Sequence, residues 1–117
     1  MSSPSLSHTQ VLASARRGGI NVDGALAAGQ TAEGRMHRFL IVFPDRVEWV
    51  RTGRRGPLPQ GKADPLSIPA SRISLAECHH QGSRSVVVVH TAGAVLQLAT
   101  NRSTGTVLHQ ALLQLIR

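Results

Sequence analysis

The stretch MHRFLIVFPDRVEWVR, residues 36–51, decides the fold. MHRFLIVF (36–43) and RVEWVR (46–51) are runs of aliphatic, aromatic and β-branched residues, and only Pro44-Asp45 stands between them. Pro presets φ at a turn position and Asp can bond the backbone two residues on, so the pair closes a hairpin. In the second strand a period of two puts Val47 and Trp49 on one face and Glu48 and Val50 on the other, which makes Trp49 a core anchor.

C-terminal to this hairpin, residues 52–65 are rich in Gly and Pro, lack apolar periodicity and carry Arg54, Arg55 and Lys62, so they read as a loop. Leu66 to Pro69 begins a new extended stretch. SRISLAECHH (71–80) alternates, with Ile73, Leu75 and Glu77 on one face and Ser74, Ala76 and Cys78 on the other. After a turn at 81–83, SVVVVHT (85–91) holds four consecutive Val, poor helix formers that suit a strand covered on both faces or central in a barrel. Ala92-Gly93 turns the chain into AVLQLAT (94–100), a second hairpin. The last run, TVLHQALLQLIR, repeats its apolar residues every three or four positions, which predicts an amphipathic helix over 104–116 capped by Ser103 or Thr104.

N-terminal to the hairpin the pattern weakens. Residues 1–17 are expected as a flexible basic arm, in which VLASARR (11–17) forms a short helix or frays. Gly18-Gly19 stops it, Ile20 to Val22 suits a short strand, and residues 24–34 read as a loop or a poorly fixed strand. The chain of 117 residues has room for one core, so 18–117 forms a single domain. Its expected class is mainly β (α+β): a small antiparallel barrel or half-barrel of about six to seven strands, closed by one C-terminal helix.

Composition narrows the function. Thirteen Lys and Arg against 6 Asp and Glu give a formal charge of +7, and Lys62 is the one cation that is not Arg. Arg forks match phosphate and carboxylate, although a GC-rich coding bias enriches Arg as well. Aromatics are 3% of the chain, which leaves few rings on which nucleic-acid bases could stack. Cys78 stands alone, so there is no internal disulfide and a reducing compartment fits. No apolar run approaches the roughly 20 residues needed to span a bilayer. The Ser-rich N-terminus lacks the apolar core of a secretory signal, and cytoplasmic residence is expected.

Catalytic and metal chemistry find little support. The carboxylates Asp23, Glu33, Asp45, Glu48, Asp64 and Glu77 are scattered singly. Within Cys78-His79-His80 a strand turns His79 away from the other two, so the tripeptide neither chelates as a unit nor forms a nucleophile–base pair. No enzyme, no cofactor and no metal are expected.

FLIVFPDRVEWV resembles the strand–turn–strand opening of bacterial pleckstrin-homology-like and GRAM-type domains. SIPASRISLAECHHQG is similar to the segment after their variable loop, SVVVVHTAGAVLQLAT to the hairpin that follows, and the last helix to the one that plugs their barrel. The likeness spans roughly residues 35–116. It implies a non-enzymatic module that binds proteins, peptides or anionic lipids. By that likeness the anion or lipid site falls on Arg51, Arg54, Arg55 and Lys62, which Arg16, Arg17, Arg35 and Arg38 would widen if the fold brings them together. Val87, Val89, Leu108, Leu112, Leu113 and Ile116 are the candidates for a partner or homo-oligomer interface. Protein, copies of the chain included, is the first expected partner, and an anionic membrane surface the second. Nucleic acid is third, because helix-turn-helix, zinc and aromatic signatures are absent.

Overall fold

A computed structural model of the chain describes residues 8–17, 19–33, 36–53, 56–57 and 66–116. Its elements are α1 (His8–Arg17), β1 (Ala27–Glu33), β2 (Met36–Val42), β3 (Arg46–Gly53), β4 (Gly56–Pro57), β5 (Leu66–Pro69), a 3₁₀ turn (Ala70–Arg72), β6 (Ile73–Gln81), β7 (Arg84–Thr91), β8 (Val95–Asn101) and α2 (Arg102–Ile116). The first sheet runs β1-β2-β3, with β4 and β5 both pairing with β3; the second runs β6-β7-β8. Every pairing is antiparallel. Among the described residues no strand of one sheet pairs with a strand of the other, so the architecture is α+β with two open sheets and a C-terminal helix.

The hairpin at the centre of the sequence forms as read. Phe43 N–H donates to the Arg46 carbonyl (2.8 Å), and the Arg46 guanidinium lies 4.0 Å from the Phe43 ring centroid while bonding Asp45 (2.8 Å) and Glu48 (3.1 Å). The unbroken apolar run in β2 reflects burial on both faces. Leu40 and Val42 point into the core between the sheets with Val47, Ile68, Val87, Val89, Leu98, Leu108 and Leu112. Phe39, Ile41 and Phe43 point the other way, into a second core with Val11, Ala15, Ile20 and Val22.

That second core changes the picture of the N-terminus. Over 8–17 the expected flexible arm is α1, whose Val11 and Ala15, one turn apart, are 2% and 0% exposed against the back of the first sheet. Gly19, at φ 89°, ends the helix in a Schellman arrangement: Gly19 N–H bonds the Arg16 carbonyl and Ile20 N–H the Ala15 carbonyl. Ile20 and Val22 are buried without joining a strand, contrary to expectation, because packing under α1 rather than sheet pairing holds them.

β1, expected at most as a poorly fixed strand, pairs along its whole length with β2. Its small residues serve a close approach. A Cβ at Gly29 would stand 2.5 Å from Leu108 Cδ1 of α2 and 2.5 Å from Leu98 Cδ2 of β8. At α2's first turn, a Cβ at Gly105 would stand 2.7 Å from Ser85 Cβ of β7. At these two points the helix comes this close because a side chain is missing. Its cap is Asn101 rather than Ser103 or Thr104: Asn101 Oδ1 accepts from Thr104 N–H (2.8 Å) and Ser103 Oγ–H (2.9 Å), because the helix starts two residues earlier than its apolar period.

Gly29→Ala should lower unfolding free energy by about 1–3 kcal/mol in denaturant titration, since Leu98 and Leu108 are fully buried and have nowhere to move. Gly93→Ala, where nothing lies within 4 Å of the new Cβ, should stay within about 0.5 kcal/mol of the parent.

Candidate functional site

The site begins with a β-bulge. Ile73 pairs with Thr91, but the next pair is Leu75 with His90, so Ser74 is an extra residue in β6. Its hydroxyl donates to the His90 carbonyl (3.1 Å). Simple alternation puts Ile73, Leu75 and Glu77 together; the bulge instead leaves Ile73 inside with Ala76 and turns Leu75 and Glu77 outward. The expected alternation is thus corrected at its first step.

Three rows cross the outer face of the second sheet: Leu75–His90–Val95, Glu77–Val88–Gln97 and His79–Val86–Ala99. The back of the first sheet is covered by α1, and the inner faces of both sheets by α2 and one another. Among the described residues, no helix covers this face. Leu75 is 49% and Val95 54% exposed, which leaves two large apolar side chains in water on either side of His90. Val88, at 7%, is closed over by its neighbours.

Electrostatics anchor the centre of this face. His90 Nε2 lies 2.7 Å from Glu77 Oε2, and His79 Nε2 lies 3.9 Å from Glu77 Oε1. The bond from His90 holds the Glu77 carboxyl below its ordinary value, against desolvation, with the charges of both imidazoles adding to the effect. A carboxylate held by His90 is an oriented acceptor between the exposed Leu75 and Val95 row and the centre of the face.

The inner side of the same strands carries Cys78, His80 and Ser85. His80 Nδ1 lies 2.6 Å from Ser85 Oγ, and Cys78 Sγ 4.0 Å from His80 Nε2. Burial pushes the Cys78 thiol up, opposed by a bond with Ser85 and the charge of Arg102, so at neutral pH it is a protonated thiol rather than a nucleophile. As read, Cys78 and His80 share a face and His79 points away. Among the described residues no three His, Cys, Asp or Glu side chains gather as a metal site would require.

The expected partner residues divide. Val87, Val89, Leu108 and Leu112 are each 0% exposed and belong to the core, since inward parity in β7 and the buried stripe of α2 claim them; as surface contacts they are corrected. Leu113 is 42% exposed on the far side of α2, and Ile116 is half-buried at its end. Arg51 stands opposite Arg38 in the β2–β3 register, while Arg54, Arg55 and Lys62 lie outside the described residues, as does Arg35. Among the described residues, Arg16 and Arg17 stand apart from Arg38. Arg16 and Arg17 end α1 behind the first sheet, where Arg16 pairs with Asp23 at 3.3 Å, whereas Arg38 shares the inner face with Leu40 and lies 5.3 Å over the Trp49 ring.

Leu75, Val95 and the Glu77–His90 pair escaped the sequence reading. Val95 was legible, since Leu96 and Leu98 alternate with Val95, Gln97 and Ala99. Leu75 was not, because nothing in SRISLAE marks the extra residue. Among the described residues no helix is long and apolar enough to cross a membrane. In comparison with known proteins, no family model matches the chain and no curated protein matches it in sequence.

The depressed Glu77 carboxyl gives a pH test. A lowered folded value contributes stability that is present above the ordinary value of 4.5 and is lost as pH falls through the folded value. The difference in melting temperature between the parent and Glu77→Gln should therefore be positive near neutrality and shrink toward zero in acid below that range.

Proposed function

We propose that the chain is a non-enzymatic interaction module that docks on protein, copies of itself included, through the outer face of its second sheet. One observation carries this reading: Leu75 and Val95, 49% and 54% exposed, flank a His90–Glu77 pair on a sheet face that no described helix covers. Apolar contact area supplies affinity, and the oriented carboxylate supplies register. A pleckstrin-homology-like frame, with the two antiparallel sheets closed into a half-barrel by the C-terminal helix, is part of the same proposal.

Light scattering across a concentration series tests it. The parent chain should show a mass above the monomer that rises with concentration. Leu75→Ser combined with Val95→Ser should return it to monomer while circular dichroism stays unchanged. A mass indifferent to both substitutions would contradict docking through this face.

A second reading rests on the charge of the chain, 13 Lys and Arg against 6 Asp and Glu. Anionic membrane surface is the partner this favours, through Arg51, Arg54, Arg55 and Lys62. Arg54→Ser with Arg55→Ser should abolish cosedimentation with phosphatidylserine vesicles at low salt, and equal sedimentation with neutral vesicles would contradict the reading.

A further inference from the structure

β5 borders a cleft of about 350 Å³ lined on one side by Ser67, Ile68 and Pro69 and on the other by the Thr91–Ala94 turn. Two hydrogen bonds fix which backbone groups face it. Phe43 N–H bonds the Arg46 carbonyl, so Arg46 is turned toward β2 and its neighbour Val47 toward β5. Ile68, in register with Val47, is turned back to β3, in step with Ala70 N–H bonding the Asp45 carbonyl (3.0 Å). By alternation Ser67 and Pro69 face away from β3, with the Ser67 N–H and the carbonyls of both residues directed from an edge that pairs with no other strand among the described residues. Pro69 has no N–H to offer, which keeps this edge short.

The opposite wall is preformed. Thr91 N–H and Oγ1–H both reach the Ala94 carbonyl (2.9 Å each), and Ala94 N–H returns a bond to Thr91 Oγ1 (3.0 Å). The turn is thereby closed on itself and does not use the edge of β5. Arg72 is the one charged residue of the lining; it is exposed and has no ion-pair partner among the described residues. An open strand edge, an apolar wall with Ile68 and Ala92, and one unpaired guanidinium define a complementary ligand.

We propose that this cleft binds an extended peptide segment bearing a carboxylate, which adds as a short strand to β5 and sets its carboxylate on Arg72. The main chain supplies the pairing at Ser67 and Pro69, and the guanidinium selects the charge. This surface opens at the edge of β5, and the inference does not depend on docking through the outer face of the second sheet.

The test is an amide-resolved NMR titration with three acetylated probes: Val-Thr-Val-Ser with a free C-terminus, the same peptide as its C-terminal amide, and Val-Thr-Val-Asp as its amide. Shifts from the free acid should centre on Ser67, Ile68 and Ala92 to Ala94, and exchange of the Ser67 amide should slow. The neutral amide should bind about tenfold more weakly, the loss of one charge-assisted bond. Binding of the Asp amide at the level of the free acid would place the carboxylate on a side chain; weakness of both amides would place it at a chain terminus.

Arg72→Ala should bring the free acid down to the neutral amide. Ser67→Pro removes the outward N–H, which bonds no other strand among the described residues, and should abolish the shifts, whereas Ser67→Ala, which removes only the hydroxyl, should keep them. Gly93→Leu, which adds bulk to the cleft wall where nothing else lies within 4 Å, should do the same with the fold's spectrum intact. Leu75→Ser should leave peptide binding unchanged. Equal binding of all three probes, full binding by Ser67→Pro or Gly93→Leu, or loss of binding in Leu75→Ser would overturn the proposal.

Discussion

Everything in this molecule depends on how closely α2 approaches two sheets that do not pair with one another. At Gly29 the helix presses Leu108 onto β1, and at Gly105 its own backbone rests on Ser85 of β7. A side chain at either point would separate the layers by more than a dense core tolerates. With the helix seated, Leu98, Leu108 and Leu112 close the space between the sheets and are lost from the surface. The same seating consumes the inward side of β7, so Val87 and Val89 cannot serve a partner.

Two helices serve the four faces of two sheets. α1 covers the back of the first sheet, α2 lies between the sheets, and among the described residues no helix covers the back of the second sheet. A bulge at Ser74 then raises the apolar content of that face by turning Leu75 outward. Were Ser74 an ordinary strand residue, alternation from Ile73 would turn Leu75, Glu77 and His79 inward and Ala76 outward, and would bury a carboxylate. The bulge lets Ile73 stay in the core while Leu75 and Glu77 face out, the re-aiming of side chains for which bulges recur.

Much of the fold was legible. Both central hairpins follow from turn chemistry and β-branched runs, and the terminal helix from its apolar spacing, because these signals are local. What escaped depends on contacts distant in sequence. α1 has a stripe of only Val11 and Ala15, too narrow to read until Phe39 and Ile41 lie beneath it. β1 is built of small residues, whose strand propensity is weak and whose value lies in letting α2 approach. The candidate surface was harder still. Parity in β6 depends on one inserted residue, and a slip of one exchanges the faces of a strand. Burial of Leu108 and Leu112 was predictable from helix spacing, but which apolar residues of α2 remain outside depends on where the sheets stop; Leu113 does, at 42% exposure.

Leu113 also supplies an internal reference for the exposed face. The most direct measurement is relaxation of methyl signals by a soluble paramagnetic agent, recorded for the full chain at rising protein concentration. Leu75, Val95 and Leu113 are similarly exposed in the isolated chain, at 49%, 54% and 42%. Progressive protection of Leu75 and Val95, with Leu113 attacked throughout, is the result expected if the second sheet's outer face is the docking surface. Equal attack on all three methyl sets at every concentration, or protection of Leu113 alone, would contradict it.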